Sequence, residues 1–316
     1  MFSSRFTRKQ VLTVIEDAGF PNAEGSEFYI IGNPGQGLYA ETADAFNLKA
    51  IKPQRKYDAL EFRLDKRFAD SYYFNLNYTW SRLIGNYSGL ASSDEDGRLS
   101  PNVNRYFDQP QAGWTVAGGQ DNGVLSTDRP HVLKFYGAYS LDWKKRFGFL
   151  DGNETQFQLF TTLQSGTPIT SVIDLNGIDT VVLTKRGDLG RTEMFTQTDF
   201  ALRNRFKFGT DKRFTLVAEV DILNLFNEAN ELNRVNLINV QTFDVTSLIP
   251  QSEIDACNVS GNQQPCLISG YRIFQNNGAP SILSQATNPA NRYELYNLPN
   301  SFQGPRTVRF GLRFIF

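Results

Sequence analysis

The chain closes on Arg306-Thr307-Val308-Arg309-Phe310-Gly311-Leu312-Arg313-Phe314-Ile315-Phe316. Successive side chains of a β-strand point to opposite faces. Val308, Phe310, Leu312, Phe314 and Phe316 therefore share one face, and Thr307, Arg309, Gly311, Arg313 and Ile315 share the other. One side is apolar to the terminal phenylalanine, while the other holds two arginines. A strand with lipid outside and water inside satisfies both faces, and membrane-spanning barrel strands alternate in this way. The expected fold is all-β, an antiparallel transmembrane β-barrel.

The same alternation recurs upstream. Leu60, Phe62 and Leu64 alternate with Glu61, Arg63 and Asp65; Tyr72, Phe74, Leu76, Tyr78 and Trp80 alternate with Tyr73, Asn75, Asn77 and Thr79. Phe214, Leu216, Ala218, Val220 and Ile222 alternate with Thr215, Val217, Glu219 and Asp221. Weaker versions cover Leu133 to Leu141, Phe157 to Leu163 and Phe200 to Phe206, and a first strand is placed near Arg5 to Glu16. The total is about eight strands of roughly 10–13 residues, long for soluble strands and long enough to cross a bilayer.

The connections alternate too. A three-residue turn, Ala69-Asp70-Ser71, is expected if Phe62 and Tyr78 are to share a face. Gly209-Thr210-Asp211 makes a second tight turn, and Trp143 to Asn153, with Lys144, Lys145 and Arg146, a somewhat longer one. Long loops are expected near 17–56, 85–129, 165–194 and 225–304. Short turns at one end and long loops at the other are the pattern of outer-membrane barrels, periplasmic and extracellular respectively. Phe68, Tyr72, Phe206, Phe208, Phe214 and Phe316 gather at the short-turn end, as an interfacial aromatic girdle would.

Composition agrees. Of 316 residues 40% are hydrophobic, mean hydropathy is −0.38, and Phe28 to Ile31 is as long as any apolar run becomes, so no transmembrane helix is expected. Twenty-six Phe and 13 Tyr against 2 Met favour β structure. A net charge of −1 directs the chain to no nucleic acid. Met1-Phe2-Ser3-Ser4-Arg5 begins no apolar h-region, so the chain reads as a mature form or as the C-terminal part of something longer.

Candidate functional residues lie on the polar face. Asp199, Arg203 and Arg205, then Glu219 and Asp221, then Arg309 and Arg313 form a basic–acidic–basic ladder across three strands. Such lumen-facing charges can line a solute path or contact a plug, or they can simply neutralise one another. Cys257 and Cys266 sit close together in a polar, turn-rich stretch and are a candidate loop disulfide. Around them the longest loop carries Tyr271, Tyr293, Tyr296 and Phe302, a polar-aromatic mixture that suits sugar or peptide recognition but that long loops of soluble caps also show. His131 stands alone and reads as structural, without metal-ligand company. Asp94-Glu95-Asp96-Gly97 lacks the later acid of a calcium loop, and Gly32-Asn33-Pro34-Gly35-Gln36-Gly37 lacks the Lys-Ser/Thr of a phosphate loop. No cofactor, metal or catalytic residue is called for, and none is expected of a non-enzymatic barrel.

Several of these stretches also resemble a known family. Tyr57-Asp58-Ala59-Leu60-Glu61-Phe62, Leu64-Asp65-Lys66-Arg67-Phe68 and Phe74-Asn75-Leu76-Asn77-Tyr78-Thr79-Trp80-Ser81 are followed by Asp128-Arg129-Pro130-His131 and Asn224-Leu225-Phe226-Asn227. In this order, with the terminal strand, they resemble TonB-dependent outer-membrane receptors of the Oar-like type from about Tyr57 to Phe316. The resemblance implies a signal peptide, a plug domain and a barrel of about 22 strands, of which this chain would supply the last third. It implies Phe310, Leu312, Phe314 and Phe316 as the signal read by the barrel-assembly machinery. It further implies a Gram-negative outer-membrane location, with outer-membrane lipid around the wall. The plug and TonB would be partners in the intact protein, and the transported solute is not identified. Without a plug, energised import is not available to this chain alone. The alternative is an independent small outer-membrane barrel or adhesin-like structural protein. A secreted all-β binding protein or enzyme would leave the loop alternation unexplained.

Overall fold

In the computed structural model, which describes residues 35–87, 110–176 and 179–316, the alternating segments join one antiparallel sheet. In chain order the strands are β1 (Arg55–Ala69), β2 (Tyr72–Gly85), the two-residue β3 (Gly123–Val124), β4 (His131–Asp142) and β5 (Glu154–Gln164). Then come β6 (Val172–Leu175), β7 (Asp179–Val182), β8 (Phe195–Phe208), β9 (Phe214–Leu223), β10 (Glu231–Arg234), β11 (Leu237–Phe243), β12 (Pro299–Phe302) and β13 (Thr307–Ile315). The large sheet runs β1-β2-β4-β5-β8-β9-β13, with β3 added to the end of β2. Every clearly alternating segment is therefore a strand. The strand expected near Arg5 to Glu16 lies outside the described residues.

Continuous register makes the two faces coherent across the sheet. One row reads Phe74, Gly137, Leu159, Phe200, Ile222 and Val308 from β2 to β13. The row beside it, on the opposite face, reads Tyr73, Ala138, Gln158, Ala201, Asp221 and Arg309. Nothing among the described residues covers the apolar face: Phe310 is 81% exposed and Leu312 76%. Phe62, Leu64, Phe206 and Phe314 are also exposed on that face. Monomers in water rarely tolerate an apolar patch of more than a few hundred Å². In a bilayer this face needs no cover. No helix among the described residues is long and apolar enough to cross a membrane.

The first hairpin meets its parity by a different device from the one expected. Phe62 does pair with Tyr78, but the turn is the two-residue Asp70-Ser71, with φ of 54° and 72°. Such a turn matches the twist of the strands it joins. The register instead shifts at a bulge between Lys66 and Ala69, which absorbs the odd residue. At the β8–β9 connection Phe208 pairs with Phe214, so the turn is longer than Gly209-Thr210-Asp211.

The long connections are not loose loops. They hold α1 (Gly37–Ala45), α3 (Gln251–Ser260), α4 (Gln264–Asn277) and α5 (Pro280–Thr287), numbered with the short α2 (Trp143–Phe147) of the β4–β5 turn. They also hold two small sheets, β11-β6-β7 and β10-β12. Segments within 17–56, 85–129, 165–194 and 225–304 share one core, including Leu48, Trp114, Val116, Ile173, Leu183, Phe243, Phe274 and Ile282, and together form a cap on the sheet. In α4 the buried Cys266, Gly270 and Phe274 recur every four residues, the spacing of one helix face. Gly270 is required there, because an added Cβ would lie 2.5 Å from the Val245 carbonyl oxygen.

Candidate functional site

The polar face is an ion-paired wall. Arg203 Nε of β8 lies 3.0 Å from Glu219 Oε2 of β9, and Arg313 Nη2 of β13 lies 3.3 Å from Glu219 Oε1. One carboxylate thus serves two guanidiniums from the flanking strands. Arg309 stands directly across from Asp221. Asp199 accepts from Gln197 Nε2 at 2.9 Å and from the Asn224 N–H at 2.8 Å. Arg205 pairs with Glu154 of β5 at 3.2 Å, a partner the sequence alone did not suggest. All seven candidate charges share this face. Further along, Arg63, Asp65, Asn75, Lys134, Tyr136 and Phe160 line a groove of about 640 Å³. Arg63 pairs with Asp65 at 2.6 Å, and the Asn75 amide also donates to Asp65.

Where strands meet the cap, two short motifs act as clasps. The buried Asp128 carboxylate accepts the Leu83 N–H and an Arg191 Nη2–H, each at 2.5 Å. Arg129 donates to the Ser165 carbonyl, the Pro130 carbonyl accepts from the Ser81 N–H, and the His131 N–H donates to Ser165 Oγ. Asp128-Arg129-Pro130-His131 therefore ties β2, β4 and β5 to the connection that follows. His131 Nδ1 also meets the Tyr78 hydroxyl at 2.8 Å, which fits a structural role.

Asn224-Leu225-Phe226-Asn227 does the same for the last strands. Asn224 sits at φ 55° and donates from Nδ2 to the Glu228 and Gly304 carbonyls. Asn227 Oδ1 accepts the Arg306 N–H at 2.9 Å. One motif thereby gathers both ends of the longest connection.

Inside the cap, Arg186 Nη2 pairs with Asp121 Oδ2 at 2.8 Å, with both side chains at or below 1% exposure. Arg186 also donates to the Asp121 and Asn86 carbonyls. No local pattern announces this pair, whose members are 65 positions apart. Cys257 of α3 and Cys266 of α4 are joined through their sulfurs across the helical hairpin. Tyr271 is buried in the cap core and Tyr296 is partly buried against it, the Tyr296 hydroxyl lying 2.7 Å from Ser171 Oγ. Those two rings build the cap rather than present themselves to a solute. Phe302, by contrast, is 57% exposed. Asp94 to Gly97 lie outside the described residues, and no group of three metal-ligating side chains occurs among the described ones.

At the short-turn end Asp151 accepts from Lys212 Nζ at 2.8 Å and Lys144 Nζ at 2.9 Å, and these two bonds hold its pKa down at about 2. The apolar face breaks its pattern at this level. Trp143 Nε1 donates to Thr155 Oγ1, Thr155 to Asn204 Oδ1, and Asn204 Nδ2 to Asn153 Oδ1.

An uncovered apolar face, an ion-paired polar face and a cap at one end define the wall of an outer-membrane β-barrel. The family model for the outer membrane beta barrel domain matches residues 32–189, half of the chain, and the chain belongs to that family. The TonB-dependent transporter Oar of Myxococcus xanthus is 30% identical over 318 residues, covering 98% of this chain and 26% of that protein. The chain thus spans about a quarter of that relative's length, in its C-terminal part. No solved structure matches the chain. It is a protein of the outer membrane, as its terminal strand and loop pattern led us to expect.

Proposed function

We propose that this chain supplies wall and external surface to a receptor that imports a solute in a TonB-dependent manner, the plug and TonB acting in the intact protein. The apolar face meets lipid. The polar face, with Asp199, Arg203, Arg205, Glu219, Asp221, Arg309 and Arg313, faces the lumen, and the cap stands outside the cell. The observation that carries the reading is that described segments of all four long connections pack into one cap. A receptor needs such a body for capture, whereas a passive wall does not. Likeness to a protein named a TonB-dependent transporter supports it. Phe310, Leu312, Phe314 and Phe316 serve as the assembly signal in this reading, which their exposure on the lipid face of the last strand supports.

The test is twofold. The reading frame upstream of Met1 should encode a plug domain, and a stop codon preceding a separate start and signal sequence would contradict the receptor reading. Cells should also lose uptake of their large solute equally when TonB is removed and when residues 225–304 are deleted. Uptake unaffected by loss of TonB would contradict it as well.

A further inference from the structure

The β4–β5 turn is built with more order than a simple reversal requires. Asp142 caps α2 by accepting the Lys145 N–H at 3.0 Å, Gly148 ends it in the left-handed region, and the Trp143 N–H donates to the Asn153 carbonyl. Thr155, which accepts from the Trp143 indole, pairs with Leu141 and Asn204 and shares the apolar face of the sheet. The indole is therefore held on the lipid side. Phe147 and Phe149 pack on it with centroids 5.5 and 5.8 Å away, and on each other at 5.9 Å. Yet Phe147, Phe149 and Leu150 each remain about half exposed, between 51% and 53%. The same short helix carries Lys144, Lys145 and Arg146. Asp151 occupies Lys144 and Lys212, so Lys145 and Arg146 form no ion pair among the described residues.

We propose that this turn is a lipid anchor, seating Phe147, Phe149 and Leu150 at the acyl boundary while Lys145 and Arg146 engage anionic phospholipid phosphates of the leaflet at the short-turn end. The inference rests on the membrane reading of the sheet. Aromatic rings with one polar edge settle at headgroup level, and the indole here already has its polar edge satisfied by the sheet. The rings continue the apolar band rather than the polar wall, which favours a lipid over a protein occupant. The unpaired cations have the charge that a phosphate layer attracts.

The experiment uses the intact protein carrying this chain, purified and reconstituted into vesicles of phosphatidylcholine, or of phosphatidylcholine with phosphatidylglycerol. A spin label is placed at Leu150→Cys, which leaves the three rings in place. Leu312→Cys on the mid-sheet apolar face and Thr210→Cys on the neighbouring turn serve as references. Relaxation by oxygen relative to a water-soluble nickel chelate reports depth. The label at 150 should show an oxygen-to-nickel ratio at least about threefold above that at 210 and approaching that at 312. K145E/R146E should lower the ratio at 150 in vesicles containing phosphatidylglycerol and change it far less in phosphatidylcholine alone. A label at 150 as nickel-accessible as that at 210, with 312 still at acyl depth, would overturn the anchor. Equal effects of the charge reversal in both vesicles would overturn the phosphate contact. Nickel access at 312 would instead overturn the membrane reading beneath both.

Discussion

The sheet and the cap belong to one chain but are folded against different solvents. The sheet leaves Phe310 and Leu312 more than three-quarters exposed, whereas the cap buries Val116, Ile173, Phe274 and Ile282 completely. In the sheet, order comes from backbone pairing between adjacent strands, and apolar side chains wait for lipid. In the cap, order comes from apolar contacts between connections far apart in the chain, as in a water-soluble domain. The difference teaches that an apolar residue in this protein has meaning only with its region. On the sheet a continuous exposed apolar face signals lipid contact, whereas in the cap it is the buried apolar residues that hold the fold together.

Substitutions can break that comparison in order of size. Asp121→Asn should have the largest effect, because it breaks a fully buried ion pair with the Arg186 guanidinium, at a cost of about 3–5 kcal/mol. Limited proteolysis should then cut the cap while the sheet keeps its heat-modifiable mobility on a gel. Leu159→Arg, placed mid-strand on the apolar face, should cost about 2–4 kcal/mol, whereas Gln158→Arg one residue away on the wall should cost under about 1 kcal/mol. Denaturant unfolding in vesicles measures both. Equal costs would erase the distinction between faces.

Smaller effects sharpen the account. Glu219→Gln should weaken the hold on Arg203 and Arg313 by no more than about 1 kcal/mol, since the guanidiniums are water-exposed; the same unfolding titration should barely move. Asp151 tests the short-turn end. Its pKa is lowered by Lys212 and Lys144, so whatever it contributes is present above its ordinary range near 3.8 and lost as pH falls through about 2. Lys212→Met should return the carboxyl toward its ordinary range, as a carbon-detected carboxyl titration would record.

How much of this was legible in the sequence follows from the range of the interactions. Alternation is a property of adjacent residues, so the strands from Leu60 to Phe316 and the face of each candidate charge could be read directly. Turn parity was half legible: the shared face of Phe62 and Tyr78 was evident, but the bulge that achieves it was not, because a bulge changes no residue type. The cap was read as loops because its contacts are non-local; Lys49 and Gln275, bonded through backbone and side chain, are 226 positions apart. Asn224 and Asp128 were visible as motif members, yet their tasks as clasps required the partners on other strands. Glu154 was missed because its role depends on register with Arg205 rather than on its own neighbours.

The central claim is that the two sides of this sheet face lipid and water. Single cysteines placed along β13 from 308 to 313, tested in intact outer membranes with a small water-soluble thiol reagent, examine it most directly. Positions 309, 311 and 313 should react, while 308, 310 and 312 should stay protected until detergent is added. Uniform reactivity along the strand, or protection of the odd positions alone, would contradict the account.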